Sequence, residues 1–158
     1  MTIKLRKYKE EDLDRHLELF LMNGIYNKID KKIRERERKW LKEVIKNYGK
    51  KKPDFYVLAI TLDNKLIGNL IAEKFNYNNK TLELGFWIGK SYWGKGYTTK
   101  ALKLFLRIII KKFKPKKIFA YHKKNNPASG RVLEKAGFKL EGEKIGMKEY
   151  SKIVNKDL

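Results

Sequence analysis

The hydrophobic residues recur with two different periods, and the two periods alternate along the chain. A period of two, typical of a half-buried strand, predicts strands at 2–8, 55–62, 66–75, 81–88, 117–122, 138–143 and 150–154. A period near 3.6, typical of an amphipathic helix, predicts helices at 10–23, 31–48, 97–113 and 126–136. This order predicts an α/β (α+β) fold, in which about four helices flank a mixed, mostly antiparallel sheet of about seven strands. With no repeat, linker or low-complexity segment, we expect one domain over residues 1–158.

The composition excludes several classes of function. Of the 158 residues 42% are hydrophobic, which is enough for a buried core. The absence of cysteine excludes disulfides, thiolate metal sites and a cysteine nucleophile, and two histidines are too few for a histidine-rich metal site. No apolar run approaches the roughly 20 residues that cross a bilayer, and the N-terminus lacks the apolar segment of a signal peptide. We therefore expect a cytoplasmic protein with no metal and no membrane span.

The charge is strongly positive and unevenly distributed. Lysine and arginine total 39 against 18 acidic residues, which gives a formal net charge of +21. Because lysine supplies a point charge and not the planar fork of arginine, its excess predicts at most a weak association with polyanions or ribosomes. Genome composition or life at high temperature is the alternative explanation. No acidic residue lies between Glu83 and Glu134, so residues 84–133 should present a positive field suited to an anionic ligand.

A glycine-rich segment, residues 89–99 (GKSYWGKGYTT), lies between a predicted strand and a long predicted helix. In this arrangement backbone N–H groups and the helix dipole bind phosphate, and glycine lets the backbone approach closely. A P-loop matches the segment as far as Lys95, but its next position requires Ser or Thr and here holds Gly96. A dinucleotide fingerprint matches Gly94 and Gly96, but Thr99 stands where its third glycine belongs.

Three motifs in this part of the chain resemble the GCN5-related N-acetyltransferases, the GNAT family. The loop is similar to the family's coenzyme A loop, Gln/Arg-x-x-Gly-x-Gly/Ala, with Gly94 and Gly96 at the small positions and Ser91 in place of Gln or Arg. Residues 125–138 (NNPASGRVLEKAGF) and 83–88 (ELGFWI) resemble segments of the branch that acetylates the N-termini of ribosomal proteins. The resemblance covers most of the chain and implies the GNAT fold, with splayed central strands.

The same resemblance implies acetyl-CoA as the cofactor and indicates which residues hold it. Pantetheine would pair with the backbone of Trp87 and Ile88 as an added strand. Asn126 matches an asparagine that hydrogen-bonds the cofactor, and its alternative role is to cap a helix that begins at Pro127. The loop and first helical turn would hold the diphosphate, through Trp93, Gly94, Lys95, Gly96, Tyr97, Thr98 and Thr99.

Two residues are candidates for catalytic proton transfer. Glu83, the only acidic residue of its predicted strand, is the candidate base for the acceptor ammonium, and its alternative role is an ion pair with a lysine. Ser129 matches the family serine that protonates the leaving thiolate, although helix N-termini favour serine for capping alone. His122 ends a strand near the site, and we expect it to be structural.

These features predict an acetyl-CoA-dependent N-acetyltransferase acting on a primary amine. The N-terminal α-amine of a protein, such as a ribosomal protein, is the first candidate acceptor, because an α-amine is far less protonated at pH 7 than a lysine. Polyamines should be repelled by the net charge of +21 unless the few acidic residues converge on a site. A small-amine acceptor, and a non-catalytic basic module bound to ribosomes or RNA, are the alternatives.

Overall fold

The structure is a computed structural model that describes residues 1–155. Within these residues one sheet contains β1 (Ile3–Arg6), β2 (Phe55–Leu62), β3 (Lys65–Asn76), β4 (Thr81–Ile88), β5 (Lys117–Lys123), β6 (Lys139–Lys144) and β7 (Met147–Ile153). The same part of the chain forms the helices α1 (Leu13–Met22), α2 (Lys31–Asn47), α3 (Tyr97–Phe113) and α4 (Pro127–Lys135). The predicted α/β architecture is confirmed.

The strand order is β1-β2-β3-β4-β5-β7-β6, and every neighbouring pair is antiparallel except β4 with β5. Those two strands are parallel and are joined by α3, the crossover that a parallel pair requires. Their pairing begins at Thr81 with Lys117 and ends at Leu84 with Ala120. Beyond that point the last four residues of β4 separate from β5. The predicted splay of the central strands is therefore confirmed, and it opens a gap in the middle of the sheet.

Two helical layers cover the sheet. Leu17 of α1 and Val44 of α2 pack on one face, while Phe105 of α3 and Leu133 of α4 pack on the other. Side chains alternate along a strand, so β4 sends Trp87 to the α1–α2 face and its even-numbered neighbours to the α3–α4 face. No helix in residues 1–155 is both long and apolar enough to cross a membrane.

A few element boundaries differ from the prediction. β7 begins at Met147, and not at residue 150, because a tight turn at Ile145 and Gly146, both with positive φ, joins it to β6. The first predicted helix opens with a 3₁₀ turn over Glu10–Asp12, and α1 begins at Leu13. These shifts leave the element order and the gap unchanged.

Candidate active site

Side chains from the two ends of α1 fix the glycine-rich loop in position. Asn23, which ends α1, donates from Nδ2 to the carbonyl of Ile88 at 3.0 Å and accepts at Oδ1 from the N–H of Lys90 at 2.7 Å. Arg15, near the start of α1, donates from Nη2 to the hydroxyl of Tyr92 at 2.9 Å. The sequence analysis did not select Asn23 or Arg15, since their contact with the loop depends on how α1 packs.

Two glycines turn the loop into the first turn of α3. Gly94 and Gly96 have φ of +74° and +80°, the left-handed region that glycine adopts without Cβ strain. At both positions a Cβ would meet no described atom within 4 Å, so the turn borders open space. Gly96 precedes α3 directly, and the N–H groups at the start of a helix have no helical acceptor of their own. The turn therefore presents free donors and the positive end of the helix dipole to an anion.

A cavity of about 210 Å³ lies between this turn and α4. Five of the residues predicted to hold a diphosphate line it: Gly94, Gly96, Tyr97, Thr98 and Thr99. The remaining predicted cofactor contacts lie outside its lining, namely Trp87, Ile88, Trp93, Lys95 and Asn126. The structure thus brings the glycine turn and the first turn of α3 together around one cavity.

The wall that α4 contributes carries two cations that the sequence analysis missed. Arg131 and Lys135 line the cavity together with Ala128 and Val132. These positions recur at three- and four-residue spacing, so they share one face of the helix. That spacing was visible in the sequence and is the signal that could have found them. With the α3 dipole opposite, the cavity is suited to a phosphate group.

Backbone groups of β4 face the gap beside β5. The N–H of Gly89 donates a hydrogen bond to β3 at 2.8 Å. Along an antiparallel pair, the backbone groups of successive residues point alternately toward and away from the partner strand. The backbone groups of Trp87 therefore point toward β3, and those of Phe86 and Ile88 point toward the gap. The carbonyl of Ile88 also accepts from Nε1 of Trp93 at 3.1 Å. The backbone groups that can pair with an added strand are therefore those of Phe86 and the N–H of Ile88. The predicted pairing through Trp87 is one residue away, because the backbone of Trp87 points toward β3.

Glu83 lies on the α1–α2 face, immediately before the point where β4 and β5 diverge. Its pair with β5 is the last but one of the parallel ladder, which ends at Leu84. The Nζ of Lys74 lies 3.0 Å from Oε2 of Glu83, so the alternative role as an ion-pair partner exists in the structure. Glu73 stands directly opposite on β3, and burial, together with the charge of Glu83, raises the pKa of Glu73.

Tyr121 and Glu149 extend this polar group, and neither was selected from the sequence. Tyr121 lies two residues after the β5 partner of Glu83 and so shares its face of the sheet. The hydroxyl of Tyr121 donates to Oε1 of Glu149 on β7 at 3.3 Å. Burial, followed by the charges of Glu149 and Glu83, raises the pKa of Tyr121. Three carboxylates, those of Glu73, Glu83 and Glu149, thus lie on one face of the sheet near one end of the gap, where Lys74 already supplies one cation.

Ser129 and Asn126 are not beside Glu83, because α4 lies on the opposite face of the sheet. Asn126 precedes Pro127, the first residue of α4, and so has the position of a helix cap. Within the described chain its side chain makes no capping hydrogen bond, so capping does not compete with a hydrogen bond to the cofactor. Ser129 lies in the first turn of α4 and is half-buried. His122 is buried, with Nδ1 at 2.7 Å from the carbonyl of Lys123 and with no hydrogen-bond partner for Nε2 among the described residues.

The chain is similar to acetyltransferases across most of its length. Residues 2–139 match the family model described as an acetyltransferase (GNAT) domain. Ribosomal-protein-serine acetyltransferase of Escherichia coli (strain K12) is 29% identical over 86 residues, which cover 54% of this chain and 48% of that protein. The protein named Probable N-acetyltransferase YjcK of Bacillus subtilis (strain 168) is 30% identical over 109 residues, covering 68% of this chain and 60% of that protein. The matches thus span about half of the first relative and 60% of the second.

A solved structure has the same fold. RimL, a ribosomal L7/L12 alpha-N-protein acetyltransferase in complex with coenzyme A, superposes with a TM-score of 0.82. The superposition covers 98% of this chain and 95% of that one, at 21% sequence identity. At this identity the likeness shows a common fold.

Proposed function

The chain belongs to the GNAT family of acetyltransferase domains, and we propose that it transfers an acetyl group from acetyl-CoA to a primary amine. The first candidate acceptor is the N-terminal α-amine of a protein such as a ribosomal protein. Relatives named for ribosomal-protein and alpha-N-protein acetylation support this choice. The observation that carries the proposal is the phosphate-suited cavity between α4 and the glycine turn, in the loop that directly follows β4, the strand that borders the gap.

The residues around the cavity fit the donor. The turn at Gly94 and Gly96 and the free N–H groups of the α3 terminus suit its diphosphate, and Arg131 and Lys135 add two positive charges from the other wall. The backbone of Phe86 in the gap suits the amide groups of its pantetheine arm. When bound, acetyl-CoA supplies an acetyl group activated as a thioester.

The two catalytic candidates approach the gap from opposite faces of the sheet. Glu83 takes a proton from the acceptor ammonium, whose nitrogen then bonds to the acetyl carbon as the carbon–sulfur bond breaks. Ser129 gives its hydroxyl proton to the leaving sulfur, which departs as the thiol of coenzyme A, and the hydroxyl is restored by the second proton that the nitrogen loses as the amide forms. The acceptor therefore enters from the α1–α2 face, where Glu73 and Glu149 also favour an ammonium group, and the donor binds on the α3–α4 face.

Acetyl transfer by the purified chain tests the proposal. A peptide with a free N-terminal Ser or Ala should gain one acetyl group at that amine, detected by mass spectrometry, whereas the same peptide with a blocked N-terminus should not. Acetyl-CoA should raise the melting temperature by mass action, and ATP with magnesium should do so much less. Stabilisation by ATP alone would support the P-loop alternative. Binding of acetyl-CoA without transfer to any amine would support the non-catalytic one.

A further inference from the structure

A second concave surface, which we call the α3 groove, has a volume of about 840 Å³. It is bordered by the C-terminal half of α3, the turn into β5 and the ends of α4 and β7. Among the described residues that line it no acidic side chain occurs, and seven are cationic: Lys80, Lys103, Arg107, Lys111, Lys114, Lys116 and Lys152. The rest of the described lining is Asn155 and five apolar residues, of which Ile110 and Val154 are partly exposed and Leu106, Pro115 and Ala136 are buried.

The cations of the α3 groove repel one another and are not neutralised by this part of the protein. Lys103, Arg107 and Lys111 follow one another at four-residue spacing along α3, an arrangement of like charges that destabilises a helix. The helix dipole accounts for a cation in the last turn, such as Lys111, but not for Lys103 or for Lys152 of β7. None of the seven forms an ion pair with an acidic residue in residues 1–155. An anionic partner would relieve this repulsion.

The α3 groove is separate from the proposed acetyl-CoA cavity. The two surfaces share no lining residue among those described, since the cavity ends on α3 at Thr99 and the groove begins at Lys103. The cavity also has its own cations, Arg131 and Lys135. The groove therefore contributes no residue to the lining of the cavity, and its charges need another explanation.

The lining of the α3 groove favours a protein segment over a nucleic acid. The part described contains no aromatic side chain on which bases could stack, the contact that single-stranded nucleic acids use most. A phosphate backbone alone would neutralise the lysines but would leave the partly exposed Ile110 and Val154 facing charge and water. A segment with carboxylates along its edges and aliphatic side chains on one side would satisfy both parts of the surface.

We infer that the α3 groove is a docking site for an acidic amphipathic segment of a protein partner. The aliphatic lining supplies contact area, and the surrounding lysines supply orientation and a salt-dependent rate of association. This inference does not depend on the proposed acetyl transfer, because it uses no residue of that site.

Fluorescence anisotropy with labelled synthetic probes tests the inference. The probes are a helix-forming peptide with Leu at every third or fourth position and Glu between, a scrambled peptide of the same composition, an all-Glu peptide and a uridine-rich RNA. The amphipathic peptide should bind about tenfold more tightly than the scrambled and all-Glu peptides, a difference of about 1.4 kcal/mol, and its affinity should fall with added salt. Stronger binding of the RNA than of any peptide would overturn the inference in favour of a nucleic acid surface.

Matched charge reversals separate the groove from the overall charge of the protein. The triple variant Lys103→Glu, Arg107→Glu, Lys111→Glu should lower the affinity for the amphipathic peptide by about tenfold or more. The control triple variant reverses three exposed lysines of α2 and removes the same net charge: Lys32→Glu, Lys39→Glu and Lys46→Glu. It should change the affinity by less than about threefold.

Two further measurements complete the test. Val154→Ser should lower the affinity for the amphipathic peptide and leave the affinity for the all-Glu peptide unchanged, because the substitution removes aliphatic contact without changing charge. Saturating acetyl-CoA should not displace the peptide. Equal losses in the two triple variants would reduce the effect to non-specific attraction, and displacement by acetyl-CoA would assign the groove to the cofactor. Either result would overturn the inference.

Discussion

Glu83, which we propose as the base, also forms an ion pair with Lys74. Glu83→Gln should lower kcat at neutral pH by roughly 10²–10⁴-fold, the usual contribution of a general base. The binding of acetyl-CoA should change little, because the cavity at Gly96 lies on the other face of the sheet. The loss should shrink between pH 7 and pH 9, since an α-amine with a pKa of about 8 then deprotonates without help.

Glu73→Gln is the control for this prediction. It removes a carboxylate from the position directly opposite Glu83 and should have a much smaller effect on kcat. Steady-state rates of the three proteins across this pH range are the measurement. Wild-type kcat for Glu83→Gln at neutral pH would remove Glu83 from the mechanism and leave a water or backbone route for the proton.

Gly96 combines a left-handed backbone with a position at the edge of the cavity. Gly96→Val should abolish the melting-temperature shift caused by acetyl-CoA, since the new side chain would occupy the space needed by the ligand. It should also lower stability by about 1–2 kcal/mol, because a residue with a Cβ is strained at this φ. Gly24→Val is the matched control, with φ of +70° and equally open surroundings among the described atoms, outside the cavity. It should lose similar stability and keep the ligand shift; loss of the shift in both variants would contradict the assignment.

Asp12 makes stability depend on pH. It accepts hydrogen bonds from both terminal nitrogens of Arg6 at 2.8 Å and from the N–H of Lys9 at 2.9 Å. Burial disfavours the charged form, but these bonds outweigh burial and lower the pKa of Asp12. Because the folded pKa lies below the unfolded one, the carboxylate stabilises the fold above the unfolded pKa, and this contribution is lost as pH falls through the folded pKa.

Asp12→Asn should therefore lower the free energy of unfolding by about 1.5–3 kcal/mol at pH 7, the range for hydrogen bonds to charged groups. The difference from the wild type should narrow when the pH is lowered below about 4, near the pKa of an unfolded aspartate. Urea unfolding at several pH values measures it. A difference that stays constant down to pH 3 would show that the substitution acts through packing and not through the charge.

At the scale of the elements, the close approach of β3 and β4 holds one edge of the gap. A Cβ at Gly68 would stand 2.2 Å from the carbonyl oxygen of Trp87 and 2.7 Å from Cα of Ile88, and both are backbone atoms that cannot rotate away. Gly68→Ala should therefore displace β4 and cost about 1–3 kcal/mol or more. The substitution should also weaken the binding of acetyl-CoA, because the backbone of Phe86 and Ile88 moves with the strand.

Gly142→Ala on β6 is the control for Gly68→Ala. A Cβ there would meet no described atom within 4 Å, and its φ lies outside the positive range. Urea unfolding and thermal shift with acetyl-CoA should leave this variant close to the wild type. Equal effects of the two substitutions would mean that general weakening of the sheet, and not the position of β4, controls ligand binding.

The elements could be predicted from the sequence where the pattern is local, and less well where pairing decides the structure. The period of α3 and the glycine turn before it were clear, because one helix face and two residues of special conformation determine them. The start of β7 was not clear, since its first residues, Met147 to Glu149, are mostly charged and are held as a strand by pairing with both β5 and β6. The missed site residues divide in the same way. Arg131 follows from helical spacing, whereas Tyr121 beside Glu149 depends on a register that no local pattern encodes.

For the whole molecule, the net charge of +21 is unevenly distributed along the chain. The acid-free residues 84–133 include the loop, α3 and the first turns of α4, all on the side proposed for the anionic donor. Glu73, Glu83 and Glu149 lie on the side proposed for the cationic acceptor. The repulsion of polyamines was expected only if the acidic residues do not converge on one site, and these three carboxylates lie close together on one face of the sheet. The long-range field still repels polycations and attracts peptides with acidic residues.

The long-range field leads to a prediction about the acceptor. Peptides with a small free N-terminal residue followed by Asp or Glu should have higher kcat/KM than spermidine or peptides whose only free amine is lysine. At neutral pH an α-amine presents on the order of 300 times more neutral nucleophile than a lysine, from the difference of their pKa values. Added salt should lower kcat/KM for the acidic peptide and raise kcat/KM for spermidine, because screening removes attraction and repulsion alike. The kcat/KM of the control peptide, in which Asn and Gln replace the acidic residues, should stay nearly unchanged. Spermidine turning over faster than every peptide at low salt would sink the prediction, since the three carboxylates would then outweigh the field of the whole protein and form a polyamine site.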